Sequence, residues 1–229
     1  VSSTQTAEMV KLIENVQRAV NVALINEIKV LSDKMGVDIY EAVEAAATKP
    51  FGFTPYFPGP GIGGHCIPID PLYLSWKSSQ LGIPMRLIDT AHEINSEMPK
   101  WVVEKLSNAL LTDGKLLRDA NVMVLGVSYK KNIDDTRESP ALEIISTLLD
   151  IGASVSFSDP FNETIKLQHP RACTLVSQDV SADYVGKQDA IVLVTDHDDF
   201  DYGLLVEHAS LIIDSRGKLP KEHGNVVRA

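Results

Sequence analysis

The sequence predicts an α-helical domain followed by an α/β domain with a parallel sheet. Three observations predict it. Up to about residue 111 the apolar residues either recur at helical spacing or give way to a loop rich in Pro and Gly. After residue 119 short apolar runs of strand length alternate with helical stretches, the pattern of strands joined by crossover helices. The chain's 229 residues, 44% of them hydrophobic, suffice for two cores. The boundary falls between 112 and 119, which assigns residues 1–116 to the helical domain and 117–229 to the α/β domain.

From Ala7 to about Met35, Met9, Leu12, Ile13, Val16, Val20, Leu24, Ile28 and Leu31 keep helical spacing without Pro or Gly, and Gly36 closes the pattern as a C-cap. At about 1.5 Å per residue this helix spans roughly 40 Å, the length of a domain spine or a subunit interface. Asp38, with Glu41 three residues on, opens a shorter helix through a capping box. The stretch KPFGFTPYFPGPGIGGHCIPID then forms a long loop of the kind that usually serves function. Asp70 and Pro71 supply N-cap and N1 for a helix ending near Gly82, and Pro84 begins further helical pattern, re-initiated by Pro99, to about Leu111. Strand-like runs follow at 121–127, 153–159, 189–195 and 210–215, with SPALEIISTLLDIG as a crossover helix.

Charge narrows the function classes. Thirty-one acidic against 21 basic residues give a net charge of -10 with no segregated basic face, which argues against nucleic-acid partners. No apolar run approaches the ~18 residues of a membrane span, and the first ten residues lack the regions of a signal peptide, so the chain reads as cytoplasmic. It begins without methionine and enters helical pattern at once, as a fragment does. Cys66 and Cys173 sit in unlike contexts and do not suggest a disulfide framework.

Gly59, Gly61 and Gly64 match G-x-G-x-x-G, yet GFTPYFP before them and HCIPIDP after them each carry two prolines. A dinucleotide fingerprint needs a buried strand before its glycines and a helix opening at them, and these flanks forbid both. The glycines instead let backbone pass close to a ligand and hold Cys66 in a turn. Two readings of Cys66 compete, a small buried hydrophobe and a nucleophilic thiolate, and the flanking glycines shift the balance towards reactivity. His65 is a poor base for it, because neighbours in extended backbone point to opposite sides. For Asp70, capping alone is a sufficient explanation. Lys11 and Asn15, four apart, share a helix face and could stabilise an oxyanion and hold a water or hydroxyl; on spacing alone a solvated helix edge explains such a pair more often. DHDDFD at 196–201 and His169 with Cys173 offer metal-type ligands without a recognised spacing, and no metal site is assigned.

Together AEMVKLIEN, NEIKVLSDKMG, FPGPGIGGHCIPIDPLYL, VLGVSYKKNIDDTRESPALEI and IIDSRGK resemble the UDP-glucose/GDP-mannose dehydrogenase family, in particular its bacterial UDP-N-acetylglucosamine 6-dehydrogenase branch. The resemblance spans nearly the whole chain and matches two of the family's three domains: the central helical dimerisation domain and the Rossmann-like domain that binds UDP, but not the N-terminal NAD-binding domain. It implies a homodimer formed through the long helix and a cytoplasmic enzyme of polysaccharide biosynthesis. The implied reaction is NAD-dependent four-electron oxidation of the C6 alcohol of a UDP-sugar, UDP-N-acetylglucosamine as the first choice, through a cysteine thiohemiacetal and thioester. The alternatives are a dehydrogenase acting on UDP-glucose or UDP-N-acetylmannosamine, and a stand-alone UDP-sugar-binding and dimerisation module.

By resemblance Cys66 is the nucleophile, Lys11 stabilises the oxyanion, Asn15 orients the substrate and Asp70 places or activates water. Phe57, Gly59, Gly61 and Gly63 embrace the nucleotide sugar, Tyr129, Lys130 and Arg216 contact it, and Arg137 and Cys66 face NAD. UDP-glucose enzymes of the family carry an arginine and a lysine in the loop, whereas this chain has Pro and aromatics there, with Lys49 alone at its entrance. That departure suggests a lining suited to an acetamido group. Without the resemblance, Lys130, Lys131 and Arg137 read as solvated charges paired to Asp134, Asp135 and Glu138.

Overall fold

The computed structural model describes residues 1–169, 172–220 and 222–229. It divides into two compact units, Val1–Met98 and Pro99–Ala229.

In the first unit α1 (Thr4–Met35) starts where the Ser3 side chain accepts from the Thr6 amide, and it ends where Gly36 turns left-handed at φ 70°. Its buried stripe is made of small and polar residues with one lysine: Asn15, Ala19, Ala23, Asn26, Lys29 and Ser32. The large apolar residues lie on its exposed side, with Ile13, Leu24, Leu31 and Met35 all more than half exposed. Helical periodicity was therefore legible, but the core face is the opposite one from that of a water-soluble amphipathic helix. α2 (Ile39–Ala47), capped by Asp38 accepting from the Tyr40 amide at 3.0 Å, buries Ile39, Tyr40 and Val43 against Ile25 of α1. Irregular chain then leads to α3 (Asp70–Ser79), which packs against α1.

α4 (Arg86–Thr112) is one continuous helix with Pro99 inside it, where the sequence had suggested a restart. Pro99 has no N–H to offer the Asn95 carbonyl, and the division between the two units falls at this residue. The change from helix to strand comes later, after a single 3-10 turn at Leu117–Asp119.

The second unit is built on five parallel strands: β1 (Asn121–Leu125), β2 (Ser154–Ser158), β5 (Ala190–Leu193), β6 (Ile212–Asp214) and β7 (Val226–Arg228), in the order β2-β1-β5-β6-β7. Between β2 and β5 an antiparallel hairpin, β3 (Thr164–Leu167) and β4 (Cys173–Val176), forms a separate small sheet. Among the described residues the C-terminal part of α4 is joined in this unit by α5 (Pro140–Ile151), α6 (Ala182–Val185) and α7 (Tyr202–His208). The central strands β1, β5 and β6 are buried on both faces, as a parallel sheet covered by helices requires. Val122, Val124, Val192 and Ile213 enter one core with Ile144, Ile145 and Leu148 of α5 and Val102, Leu106 and Leu110 of α4. The alternate residues Met123, Leu125, Ile191, Leu193 and Ile212 enter another with Val185 of α6 and Leu205 of α7. The chain runs outward from β1 to β2, then returns to β5 on the other side of β1. That reversal opens a crevice at the C-terminal ends of β1 and β5, the usual ligand position in such sheets.

Candidate active site

In the first unit α1 and α3 bring together two of the predicted residues. Asn15, without solvent exposure, donates from Nδ2 to Asp70 Oδ2 at 2.5 Å. Its Oδ1 accepts from Arg18 Nη2, one turn further along α1. A guanidinium has only donors, so the Asn15 oxygen must face Arg18 and its nitrogen must face the carboxylate. Arg18 and the acceptor-only carboxylate thereby impose the same orientation on the amide. The Arg18 Nε is buried without a hydrogen-bond partner among the described residues.

Asp70 does not cap its helix. Ile69 occupies the N-cap without a side-chain bond, Asp70 is the first helical residue, and its carboxylate is turned to Asn15. The buried Asn15 amide needs an acceptor, and a charge-assisted bond outweighs a capping bond to an amide that water can reach. Cys66 is half-buried and unpaired with Cys173. Its carbonyl accepts from the amides of Ile69, at 3.2 Å, and Asp70, at 2.8 Å, so the turn carrying the thiol winds directly into α3. Lys11 is exposed one turn before Asn15, and His65 is exposed beside Cys66.

The loop before Cys66 is irregular in backbone yet anchored. The Gly59 amide donates to Asn26 Oδ1 at 3.0 Å, Asn26 Nδ2 to Asn95 Oδ1 at 3.0 Å, and Asn95 Nδ2 to the Ala19 carbonyl at 3.0 Å. These three amides tie the loop to α1 and α4 through buried groups. Phe57 is exposed and stacks on Tyr40 with ring centroids 6.5 Å apart. Gly61, at φ 128°, adopts a conformation that a side chain disfavours, while Gly63 is half-buried. No strand precedes Gly59 and no helix opens at Gly64. Lys49, at the end of α2, borders an apolar hollow of about 450 Å³ lined by Phe51 and Phe53.

In the second unit the predicted segment lies at the crevice between β1 and β5. Gly126, at φ 77°, passes so close to the strand-end residue Thr195 that a Cβ there would sit 2.2 Å from its carbonyl oxygen. Tyr129 is half-buried and Lys130 exposed. Arg137 forms a bidentate pair with Asp135, Nε to Oδ1 at 3.0 Å and Nη2 to Oδ2 at 2.6 Å, while Lys131 pairs with Asp198 at 3.1 Å. Lys131 thus pairs with an acid outside the 134–138 group that the sequence suggested. Arg216 follows β6 with its Nε donating to the Val194 carbonyl at 2.6 Å, which places it across the end of β5.

Within the acidic stretch DHDDFD, His197 has no exposure. It hydrogen-bonds to Asp159, equally buried, at 3.0 Å. Burial alone would push the Asp159 carboxyl up; the bonds from His197, the Val127 amide, Asn162 and the Phe161 amide outweigh it and hold the carboxyl well below the usual range. Asp214, at the end of β6, goes the other way: burial raises it despite the amides of Leu219 and Arg216. Among the described residues no group of three His, Cys, Asp or Glu side chains is placed to hold a metal ion. Among those residues no helix is long and apolar enough to cross a membrane. The signal that could have revealed Asp159 is its position directly after a strand in a parallel sheet; Arg18 had only its spacing from Asn15.

Residues 5–97 match the model of the UDP-glucose/GDP-mannose dehydrogenase family, central domain, and residues 123–221 that of the same family's UDP binding domain. The chain is 40% identical over 201 residues to the UDP-N-acetyl-D-mannosamine dehydrogenase of Methanocaldococcus jannaschii, covering 87% of this chain and 42% of that protein. It is 34% identical over 199 residues to the UDP-N-acetyl-D-glucosamine 6-dehydrogenase of Pseudomonas aeruginosa, covering 87% and 46%. The solved structure of a UDP-D-ManNAc dehydrogenase from Pyrococcus horikoshii superposes with a TM-score of 0.82 at 34% identity, over 97% of this chain and 51% of that one. The chain thus spans about half the length of the relatives it matches.

Proposed function

The chain belongs to the UDP-glucose/GDP-mannose dehydrogenase family, and on that premise we propose that it is the catalytic-cysteine and UDP-binding portion of an NAD-dependent enzyme that oxidises the C6 alcohol of a UDP-N-acetylhexosamine to a carboxylate. The observation that carries the reading is the Asn15–Asp70 bond, which links the helix bearing Lys11 to the turn bearing Cys66.

NAD, when bound, supplies the hydride acceptor for both oxidations. Residues 59–64 do not form a dinucleotide cradle, so within this chain only Arg137 and the surroundings of Cys66 are assigned to meet it. The remaining chemistry belongs to the chain's own side chains. The Cys66 thiolate attacks the C6 aldehyde, forming a C–S bond, and Lys11 stabilises the oxygen that takes up the charge. Once the adduct has been oxidised to a thioester, Asp70 and Asn15 hold the water whose attack breaks the C–S bond. The carboxylate leaves and the thiolate returns.

Tyr129, Lys130 and Arg216 contact the UDP-sugar, a role supported by their place at the strand ends, and the loop 57–63 embraces it. The two relatives named above act, by their names, on UDP-N-acetyl sugars, which supports an acetamido group at C2. The higher identity to the mannosamine enzyme favours the manno epimer over the gluco epimer expected from sequence. The exposed apolar ridge of α1 supports a homodimer formed through that helix.

Isothermal calorimetry of this chain with UDP tests the binding half of the proposal: saturable one-to-one binding is expected, and no heat at millimolar UDP contradicts it. A panel of UDP-glucose, UDP-N-acetylglucosamine and UDP-N-acetylmannosamine, offered to the full-length protein with NAD, distinguishes the sugars.

A further inference from the structure

The buried pair of His197 and Asp159 sits in a dense hydrogen-bond network in the second unit, and the chemistry above makes no use of it. Asp159 Oδ2 accepts from the amides of Val127 at 2.7 Å and Ser128 at 3.1 Å, and its Oδ1 from the amides of Phe161 at 2.9 Å and Asn162 at 3.1 Å. The carboxylate is therefore well satisfied before the histidine is counted. The other ring nitrogen, Nδ1, accepts from the Asn132 amide at 2.9 Å. An accepting Nδ1 carries no proton, so the ring is the neutral tautomer with its hydrogen on Nε2, donated to Asp159.

Asn132 stands at φ 62°, uncommon for a residue other than glycine. Three bonds hold it there: its amide to His197, its Nδ2 to Asp198 Oδ2 at 2.6 Å, and its Oδ1 from the Asp198 amide at 3.1 Å. The other end of the segment is fixed as firmly, by Asp159 and by Thr195 Oγ1 donating to the Ser128 carbonyl at 2.6 Å. Tyr129 and Lys130 lie between these clamps. The ring itself is held by Phe161 and Phe200, with centroids 5.1 and 5.6 Å away, and Tyr202 donates its hydroxyl to the His197 carbonyl at 2.7 Å.

We propose that His197 is a positioning residue for UDP recognition: by accepting from the Asn132 amide while donating to Asp159, it sets the turn that presents Tyr129 and Lys130. The proposal rests on the reading of that segment as a UDP contact. A neutral imidazole suits the task because it offers one donor and one acceptor at opposite edges of a rigid ring.

Two variants separate positioning from support. His197→Asn keeps an acceptor near Nδ1 and loses the donor to Asp159; His197→Gln keeps a donor towards Asp159 and loses the acceptor. If the turn is what matters, His197→Gln weakens UDP binding by calorimetry about tenfold or more, while His197→Asn stays within about threefold of wild type, the difference of roughly one hydrogen bond. Thermal melts should rank them the other way, with His197→Gln the more stable. UDP affinity equal to wild type in a folded His197→Gln overturns the proposal and leaves the UDP site standing. Failure of wild type to bind UDP removes the UDP reading and the proposal together. Should neither variant fold, ¹⁵N spectra of wild type decide: amide shifts across 128–132 on adding UDP are expected, and their absence in a UDP-saturated sample overturns it.

Discussion

Asn15 and Asp70 lie 55 residues apart and meet at 2.5 Å, with Arg18 donating to the amide's other end. Removing the donor leaves a carboxylate that has been partly withdrawn from water. Asn15→Ala should lower the unfolding free energy by about 1–3 kcal/mol, read from urea denaturation, because an acceptor loses a charge-assisted bond.

Arg18 acts on Asp70 only through Asn15. Arg18→Met keeps the stem's bulk and removes the donor to Asn15 Oδ1, so the amide is fixed at its Asp70 end alone. In the full-length protein this should reduce kcat about tenfold with KM little changed, the signature of an interaction made during the reaction and not in substrate binding. A variant that raises KM alone would place Arg18 in binding.

Gly126 permits β1 to turn beneath the end of β5. In Gly126→Ala the new methyl would meet backbone, at 2.2 Å from the Thr195 carbonyl, at a φ that alanine resists. Loss of about 3 kcal/mol or more is expected in a urea melt, as for overpacked and strained sites. Unchanged stability would mean that the two strand ends can separate freely.

Asp159 gives stability a pH dependence of definite sign. Its folded-state pKa is held below the unfolded value, so its contribution is complete above about pH 4 and is lost as pH falls from there towards the folded-state value. Urea midpoints measured between pH 7 and pH 3 should fall more steeply on the acid side for wild type than for Asp159→Asn. Equal slopes would remove the carboxylate from that role.

Much of this architecture is legible in the sequence, and the parts that are not have physical causes. α1 and its stop at Gly36 stand out through uninterrupted periodicity, β1, β5 and β6 through apolar runs buried on both faces, and β2 through alternation of Ser with Val and Phe. β3 and β4 are four residues each with half-exposed, mixed composition, and β7 has only three, so neither periodicity nor length marks them. Pro99 looks like a helix start because proline favours first turns, yet α4 runs through it with buried residues on either side, Ala91 and Met98 before it and Val102 and Leu106 after it. His197 hides among four aspartates whose charge suggests a solvated loop, although its own environment is dry. The contact of Asn15 with Asp70 depends on how α1 meets α3, which spacing along either helix does not encode.

The central claim is that Cys66 carries the oxidation past the aldehyde. The direct measurement counts NADH formed per molecule of UDP-N-acetylhexosamine consumed by the full-length protein, in wild type and in Cys66→Ala. Two NADH per sugar for wild type, and loss of the second in the variant, is the predicted result. Two NADH per sugar from Cys66→Ala would contradict the account.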